Sequence, residues 1–316
     1  MTRLGYQIPN FTYPGVEPDK LFGTVVAQSV EAEAAGFDTV LVMDHFYQLP
    51  ILGEPDEPMF ECYTLLSALS QHTSKVRLGA LVSGNTYRNP TLLAKAVTAL
   101  DVVSGGRAQL GIGAGWFQHE HDALGYEFGT FTERFAKLEE ALNIILPMLR
   151  DERPSLDGRY YRVTDAINSP APLSTIPVMI GGGGERKTLR MVAQYADESN
   201  IICAPDEIGR KLDALAGHCD VLGRDRSEIT VSLQTTACIA PTHDEAVAEF
   251  EAYLARNPAA EVRRAGTIVG DPSEVAARYD ALLAQGIDGI TVNAPANGHL
   301  AGRVALLGET LAPLVS

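Results

Sequence analysis

The sequence predicts an α/β fold in which eight parallel strands close into one TIM-type (β/α)8 barrel. Strand-like apolar runs alternate with helix-like stretches along the whole chain, the order expected of a parallel sheet covered by helices. The composition does not change along the 316 residues, so nothing marks a domain boundary. Barrels of this kind routinely exceed about 250 residues as one unit. We therefore expect one domain over residues 1–316, with an open sheet in two domains as the alternative.

The first four strand-and-helix units follow from the apolar pattern. Residues 37–43 form a near-continuous apolar run, the kind that is buried in a parallel sheet. Gly36 is expected to cap the helix before this run, and Pro90 suits the first turn of a later helix. The strands are predicted at residues 3–8, 37–43, 75–82 and 107–112, and the helices at 18–35, 60–71, 90–103 and 131–149.

The second half of the chain repeats this alternation after a segment without a clear period. Residues 151–172 carry Pro154, Pro170 and Pro172, and we expect them on the surface. A glycine-rich turn at residues 181–184 then leads into a helical pattern. The strands are predicted at 178–180, 198–203, 229–240 and 289–293, and further helices near 205–222, 243–255, 271–285 and 300–314.

Composition excludes several classes of function. A net charge of −15 repels nucleic-acid phosphates, and no Lys/Arg cluster offsets it. No stretch approaches the ~20 apolar residues that span a bilayer, and the N-terminus lacks a signal-peptide pattern. Cys62, Cys203, Cys219 and Cys238 form no Cys-x-x-Cys pair, which suits a reducing compartment and disfavours structural zinc. We expect a cytoplasmic protein with a small-molecule substrate and no nucleic-acid or membrane partner.

The four consecutive glycines at 181–184 stand between an apolar run and a helical pattern. Glycine leaves backbone N–H groups unobstructed, and a helix N-terminus carries about half a positive charge, so this turn can bind a phosphate. Arg186 and Lys187 either contact that phosphate or are solvated, and the fork geometry of Arg favours Arg186. The spacing fits neither a dinucleotide-binding fingerprint nor a P-loop. A turn without a ligand is the alternative.

In a parallel barrel the carboxyl ends of all strands lie on one rim. Four informative segments then meet there, at residues 44–45, 82–85, 113–116 and 181–184. His45 is the candidate proton carrier, because imidazole titrates near physiological pH; a packed or solvent-facing histidine is the alternative. Asp44 is expected to accept hydrogen bonds from a ligand, or else to bridge to a neighbouring loop.

Two further candidates follow the fourth predicted strand. Glu120 is expected to be the acid partner of His45, or else a carboxylate favoured at a helix start. Trp116, the single Trp of the chain, is expected to wall the substrate pocket, with a core aromatic as the alternative. Ser83 and Asn85 are small and polar enough to bond the edge of a ring, although ordinary loop chemistry also explains them.

His119 and His121 do not predict a metal site. Residues two apart on a helix do not face each other, and no third ligand follows at a suitable spacing. We expect no metal.

Several short motifs stand in a characteristic order that covers essentially the whole chain. Each motif is loose by itself, but their order and spacing together are specific. They are VMDHF (42–46), LG (78–79), TYRNP (86–90), SGGR (104–107), GIGAGW (111–116) with Glu120, IPVMIGGGG (176–184) and, more weakly, GDPSEV (270–275) and GIDG (286–289). In these motifs the chain resembles the bacterial luciferase-like flavin and deazaflavin oxidoreductases, specifically the branch that depends on coenzyme F420.

The resemblance implies a bacterial-luciferase-like barrel that binds an isoalloxazine-type ring in its mouth and the phosphate tail on the glycine turn. It implies a non-proline cis peptide bond near residues 81–83. Loop insertions on the C-terminal rim, at 46–59, 117–130 and 151–172, are expected to form the substrate pocket. The catalytic residues are then expected to be His45, Glu120 and Trp116, and the cofactor-binding residues Asp44, Leu81, Val82, Ser83, Asn85, Gly113, Ala114, Gly181, Gly182, Gly183, Gly184, Glu185 and Arg186.

Three functions remain in order of preference. The first is an F420-dependent oxidoreductase that moves hydride between the deazaflavin C5 and a moderately apolar organic substrate. The second is an FMN-dependent monooxygenase on the same barrel, and the third is a protein that binds the deazaflavin without turnover. The chain offers few basic residues near the rim loops, which disfavours glucose 6-phosphate as the substrate. The resemblance also leads us to expect a homodimer.

Overall fold

The computed structural model describes residues 3–315, so Met1, Thr2 and Ser316 lie outside the description. The strands are β1 (Leu4–Ile8), β2 (Thr39–Val42), β3 (Arg77–Ala80), β4 (Ser83–Gly84), β5 (Ala108–Gly113), β6 (Leu156–Asp157), β7 (Arg162–Val163), β8 (Val178–Gly181), β9 (Glu198–Ile201), β10 (Thr230–Ile239), β11 (Thr267–Gly270) and β12 (Gly289–Asn293). The α-helices are α1 (Leu21–Ala34), α2 (Cys62–Leu69), α3 (Pro90–Ser104), α4 (Gln118–Leu124), α5 (Phe131–Leu149), α6 (Thr188–Tyr195), α7 (Ile208–Leu222), α8 (His243–Arg256), α9 (Pro272–Leu283) and α10 (Arg303–Leu311).

A closed parallel ring lies at the centre of the molecule. Within residues 3–315, eight strands form it in the order β1, β2, β3, β5, β8, β9, β10 and β12, and β12 pairs back to β1. Each of them overlaps a segment predicted as a strand. All four residues of β2 are buried, as expected for a strand covered on both faces. The predicted TIM barrel is therefore confirmed.

Four elements differ from the sequence prediction. The strand β11 was not predicted, and it pairs with the end of β10 that extends beyond the ring, from Thr236 to Ile239. Its four residues, Thr-Ile-Val-Gly, form a run too short to stand out in the apolar pattern. Helix α4 lies inside the predicted loop 117–130, and β6 and β7 form a small antiparallel pair inside the predicted excursion 151–172.

Local signals set the ends of the helices. Asn89 caps α3 through a hydrogen bond from the amide of Thr91, and Pro90 occupies its first turn as predicted. Thr130 and Glu133 form a reciprocal capping box at the start of α5. Gly36 follows the C-cap of α1 with a φ of +93°, so the predicted glycine stop is confirmed.

The helices surround the ring, and the strands end together on one rim. Inside the barrel, polar side chains lie below this rim. Gln7 donates from Nε2 to the carbonyl of Leu81 at 3.3 Å and accepts at Oε1 from Asn293 at 2.9 Å. Among the helices of residues 3–315, none combines the length and the apolar character that crossing a membrane requires.

Candidate active site

A cavity of about 520 Å³ opens at the rim, where β2, β3, β5 and β8 end. The predicted site residues that line it are Asp44, His45, Leu81, Val82, Ser83, Gly113, Ala114, Trp116, Gly181, Gly182 and Gly183. The predicted residues Asn85, Glu120, Gly184, Glu185 and Arg186 lie outside its wall. Residues that line it without having been predicted include Tyr87, Phe131, Arg134, Phe135 and Ile202. The four rim segments that the sequence predicted to converge thus enclose one cavity.

The glycine turn at one end of the cavity has no room for side chains. A Cβ on Gly183 would lie 2.8 Å from the carbonyl oxygen of Ile202, and one on Gly184 would lie 2.8 Å from the hydroxyl of Thr188. Gly182 has a φ of +115°, which residues with a side chain rarely adopt. Among the described residues, no protein acceptor takes a hydrogen bond from the amides of Gly183 and Gly184. These two amides are available to an anion.

The segment after β3 forms the floor of the cavity. The Leu81–Val82 peptide bond is cis, which confirms the non-proline cis bond predicted near residues 81–83. A Cβ on Gly113 or Gly181 would lie 2.9 Å or 2.8 Å from a methyl group of Val82. Glycine at these two strand ends therefore makes space for the Val82 side chain between them.

Ser83 and Asn85 flank this floor in different ways. Ser83 lines the cavity, and its hydroxyl shares a hydrogen bond of 2.7 Å with that of Tyr63. Asn85 is 1 % exposed and donates from its backbone amide to Gly113 at 3.0 Å. Neither contact tests the predicted bond to the edge of a ring, which stays a prediction for Ser83 and Asn85.

Asp44 is held by charged and polar neighbours. Arg88 donates from Nη1 to Oδ2 at 2.6 Å and from Nη2 to Oδ1 at 2.9 Å, a two-pronged contact. The amide of Gly84 donates to Oδ2 at 3.0 Å, and Arg88 also bonds Glu61 at 2.6 Å. Asp44 thus bridges β2 to the segment that follows β4, which is its predicted structural alternative, while it still lines the cavity.

His45 and the buried Glu120 form a pair at the other end of the cavity. His45 Nδ1 lies 2.8 Å from Oε2 of Glu120, whose side chain is fully buried on α4. Oε1 accepts from the amide of Phe46 at 2.5 Å and from that of Tyr47 at 2.9 Å. The hydroxyl of Tyr87 donates to Oε2. The expected partnership between Glu120 and His45 is therefore present in the geometry.

The hydrogen bonds determine the charge of Glu120. Burial opposes its ionisation, but the contacts with His45, Tyr87 and the Tyr47 amide outweigh burial and lower the pKa of the carboxyl. Burial, and then the carboxylate itself, raise the pKa of Tyr87, so its hydroxyl keeps its proton. Because an anionic Glu120 accepts at Oε2, His45 Nδ1 carries the hydrogen, and Nε2 has no protein partner among residues 3–315. Nε2 is the nitrogen available to a ligand.

Apolar side chains form the outer rim of the cavity. Trp116 is 61 % exposed and stands edge-on to His45 with 5.8 Å between the ring centroids, so it is not a core aromatic. Phe131 and Ile202 are 58 % and 64 % exposed. Exposed apolar groups around a concave site are typical of a ligand-binding mouth.

Arg134 brings a positive charge to the cavity wall. Its Nε donates to the carbonyl of Gly115 at 3.1 Å and Nη1 to that of Gly129 at 2.9 Å. The guanidinium lies 3.8 Å from the centroid of the Phe128 ring. No carboxylate of the described chain forms an ion pair with it, and it ties the turn after β5 to helix α5.

Glu185 and its cationic partners lie beside the glycine turn. Lys211 donates from Nζ to Glu185 at 2.8 Å, and Arg210 also pairs with this carboxylate. The Lys211 contact, followed by the charge of Arg210, lowers the pKa of Glu185. The charge of Lys211 is thus already compensated.

Arg186 and Lys187 occupy different surroundings. Arg186 is exposed, whereas the Lys187 ammonium lies 5.6 Å from the ring centroids of both Phe131 and Phe135, which line the cavity. Lys187 therefore lies beside aromatic residues of the cavity wall, and the phosphate contact favoured for Arg186 stays a prediction.

The two histidines of α4 point to different partners. His121 Nε2 lies 2.7 Å from the hydroxyl of Thr86 and Nδ1 lies 2.9 Å from the carbonyl of Phe117. The His119 ring packs on Tyr47 with 5.8 Å between centroids. Within residues 3–315, no group of three His, Cys, Asp or Glu side chains is placed to hold a metal ion.

Sequence reasoning missed Tyr87, Arg88 and Arg134. Tyr87 and Arg88 lie in the motif TYRNP, so their sequence signal was present but carried no assigned role. Arg134 lies in the first turn of a long helix, where no local pattern distinguishes a cavity-lining residue from a solvated one.

Comparison with known proteins gives the chain its relatives. A family model described as luciferase-like monooxygenase matches residues 2–289. An F420-dependent glucose-6-phosphate dehydrogenase of Intrasporangium calvum is 36 % identical over 195 residues, which is 60 % of this chain and 56 % of that protein. For a second such enzyme, of Segniliparus rotundus, the match is 32 % identical and spans 65 % of this chain and 61 % of that protein. The chain therefore spans less than two thirds of these relatives' lengths. With a third, of Amycolatopsis mediterranei, it is 29 % identical over 87 % of this chain and 89 % of that protein.

Solved structures share the fold. An F420-dependent secondary alcohol dehydrogenase, in complex with an F420-acetone adduct, has a TM-score of 0.82 at 18 % identity and covers 100 % of this chain and 99 % of its own. The F420-dependent tetrahydromethanopterin reductase of Methanopyrus kandleri has a TM-score of 0.77 at 20 % identity, with 100 % and 99 % covered. A monooxygenase of Streptomyces bottropensis has a TM-score of 0.82 at 17 % identity, with 99 % and 100 % covered. At these identities the likeness concerns the fold alone.

Proposed function

This chain belongs to the luciferase-like monooxygenase family, and from that premise we propose that it is an F420-dependent oxidoreductase. Three relatives, one of them aligned over 87 % of the chain, are named for dependence on this cofactor. The proposed reaction passes hydride between the deazaflavin C5 and a moderately apolar organic substrate. The observation that carries the proposal is a single cavity with the His45–Glu120 pair at one end and a bare glycine turn at the other.

The shape of the cavity fits a flat ring with an anionic tail. On the floor, the Val82 side chain is the group that fills the space between the glycines at the ends of β5 and β8. The amides of Gly183 and Gly184 have no protein acceptor among the described residues, and the phosphate of the tail is proposed to bind them. Leu81 and Ala114 line the same cavity and complete the proposed ring seat.

His45 is proposed to carry the proton of the reaction. F420, when bound, supplies the carbon that accepts or donates hydride, so the protein has to orient the reactants and move a proton. With Nδ1–H bonded to Glu120, Nε2 of His45 takes the proton of a substrate hydroxyl during oxidation and returns it during reduction. Glu120, held as an anion, fixes the tautomer and stabilises the imidazolium.

The rim supports a moderately apolar substrate. Trp116, Phe131 and Ile202 present exposed apolar side chains around the opening. Lys211, a cation close to the glycine turn, is already paired with Glu185. Arg134, a cation on the cavity wall, bonds the carbonyls of Gly115 and Gly129, so the apolar rim, and not an absence of cations, distinguishes the proposed substrate from the one for which the glucose-6-phosphate dehydrogenases are named.

Titration with F420 and with FMN tests the cofactor assignment. We expect F420 fluorescence to change with saturation at micromolar concentrations, an affinity near −8 kcal/mol, while FMN absorbance stays that of the free cofactor. Saturation with FMN instead would identify the FMN-dependent monooxygenase. Saturation with F420 but no reduction or oxidation of any alcohol or carbonyl compound in a broad panel would identify the binding protein without turnover. The homodimer and the single domain over residues 1–316 stay predictions.

A further inference from the structure

Tyr87 is a third member of the cluster around Glu120, and its ring is fixed from three sides. It stacks on His121 with 4.7 Å between centroids and an angle of 28°. Phe46 and Tyr126 meet it edge-on at 5.0 Å and 5.5 Å. These contacts hold the hydroxyl in place on Glu120 without using the hydroxyl itself.

The two donors that reach Oε2 of Glu120 share one oxygen. His45 Nδ1 and the Tyr87 hydroxyl both bond to it, whereas two backbone amides occupy Oε1. Every donor spreads part of the negative charge of the carboxylate, so each one weakens the attraction of the carboxylate for a protonated imidazole. The two amides belong to the backbone and are the same in every variant. Besides His45 itself, the Tyr87 hydroxyl is therefore the donor to Glu120 that a substitution can remove.

We propose that Tyr87 sets the proton affinity of His45 by sharing the Glu120 oxygen that holds Nδ1. Tyr87 is therefore a positioning residue that acts through Glu120. Removing its hydroxyl concentrates charge on Oε2 and strengthens the bond to the imidazolium, so His45 binds its proton more tightly. The consequence for turnover rests on the proposed function, whereas the change in the titration of His45 does not.

Other groups around His45 stay unchanged when the hydroxyl is removed. Asp44 precedes it in the chain, but both carboxylate oxygens are held by Arg88, which also binds Glu61. Trp116 and Phe117 present ring edges to His45 at 5.8 Å and 5.7 Å and carry no charge.

Two histidines of α4 complete the titratable surroundings. His121 lies on the far side of the Tyr87 ring and bonds Thr86 and the Phe117 carbonyl, and His119 packs on Tyr47 and Phe117. Tyr87→Phe keeps the ring on which His121 stacks, so it removes one hydrogen bond and leaves these groups in place.

The test compares Tyr87→Phe with Tyr126→Phe. Tyr126 belongs to the same aromatic cluster, but its hydroxyl does not bond Glu120. The measurement is the NMR titration of the His45 ring in the protein without cofactor, with the signal assigned by its loss in His45→Gln. We expect the titration midpoint to rise by roughly 0.5–1 pH unit in Tyr87→Phe and to stay within roughly 0.2 unit in Tyr126→Phe.

The pH dependence of turnover is a second measurement of the same effect. The acid limb of the kcat/KM profile for alcohol oxidation should move up by the same amount in Tyr87→Phe, with kcat recovered at high pH. An unchanged His45 midpoint in Tyr87→Phe, or an equal shift in Tyr126→Phe, overturns the inference. A shifted midpoint in a protein that does not turn over F420 keeps the inference and refutes the proposed function.

If Tyr87→Phe does not fold, an experiment on the wild-type sequence can still test the proposal. Protein grown with 3-fluorotyrosine has hydroxyls that donate more strongly, so the His45 midpoint should fall instead of rise. The same substitution in a Tyr126→Phe background should give the same fall. A midpoint that does not fall contradicts the proposal.

Discussion

The two ends of the cavity are constructed by opposite means. At the His45 end, a side chain organises the site: Glu120 is fully buried and accepts four hydrogen bonds, two of them from the side chains of His45 and Tyr87. At the glycine end, the absence of side chains exposes the amides of Gly183 and Gly184. The first end is therefore damaged by removing atoms and the second by adding them. The comparison also separates the proton transfer proposed for His45 from the phosphate binding proposed for the glycine turn. Substitutions can test the two independently.

The largest effect is expected from His45→Ala. Loss of the imidazole removes the proposed proton carrier, and general acid–base catalysis contributes about 10²- to 10⁴-fold. We expect kcat to fall by that factor while the F420 dissociation constant changes by less than about threefold, since the glycine end is untouched. Steady-state kinetics and fluorescence titration measure the two quantities.

His119→Ala is the matched control for that substitution. His119 lies on the same helix as Glu120, but its ring packs on Tyr47 and lies outside the cavity wall. It should leave kcat within about threefold of wild type, a range typical of surface changes. Turnover of His45→Ala at the wild-type rate would remove the proposed role of this histidine.

Gly183→Ala is expected to act on binding instead. The added Cβ would lie 2.8 Å from the backbone oxygen of Ile202, so the turn has to shift and its amides move away from the phosphate. Loss of a charged hydrogen bond is worth about 1.5–3 kcal/mol, which raises the F420 dissociation constant roughly 10- to 100-fold. At saturating cofactor, kcat should stay near the wild-type value.

Gly217→Ala supplies the control for an added methyl group. Gly217 lies in α7, and nothing is found within 4 Å of the position that its Cβ would take. Alanine favours the helix by about 0.5–1 kcal/mol, so this variant should bind F420 normally and melt slightly higher. Equal affinities in the Gly183 and Gly217 variants would show that the glycine turn does not hold the cofactor.

The smallest effect concerns stability and pH. Glu120→Gln leaves buried donors without their charged acceptor, so we expect the free energy of unfolding at pH 7 to fall by about 1–3 kcal/mol. The pKa of Glu120 is lowered in the folded protein, so its stabilisation is present above its unfolded pKa of about 4.3 and is lost as the pH falls through the lower folded value. The difference in free energy of unfolding between the wild type and Glu120→Gln should therefore shrink as the pH falls below about 4.3. Urea denaturation between pH 3 and pH 8 measures it, and a gap of constant size would assign the loss to packing.

Patterns local in the sequence predicted the barrel and the convergence at its rim. Each ring strand overlaps a predicted apolar run, because burial on both faces leaves a continuous apolar signal. The glycine turn was also predictable, because four adjacent glycines are a signal that is local in the sequence. The strand β11 was missed because its apolar run, Ile268 and Val269, is too short to give a clear pattern.

Pairings between distant residues were less accessible to the sequence. The Tyr87 hydroxyl meets Glu120 across 33 positions, and Arg88 meets Asp44 across 44. No periodicity encodes such contacts, because they depend on which rim loops face each other once the barrel closes. The pairing of His45 with Glu120, by contrast, was expected because both flank strand ends of the same rim.

Parallel F420 titrations of the wild type, His45→Ala and Gly183→Ala test most directly that one ligand occupies both ends of this cavity. The account predicts nearly equal affinities for the wild type and His45→Ala, and a weakening of roughly 10- to 100-fold for Gly183→Ala. Wild-type affinity in Gly183→Ala, with turnover retained in His45→Ala, would contradict it.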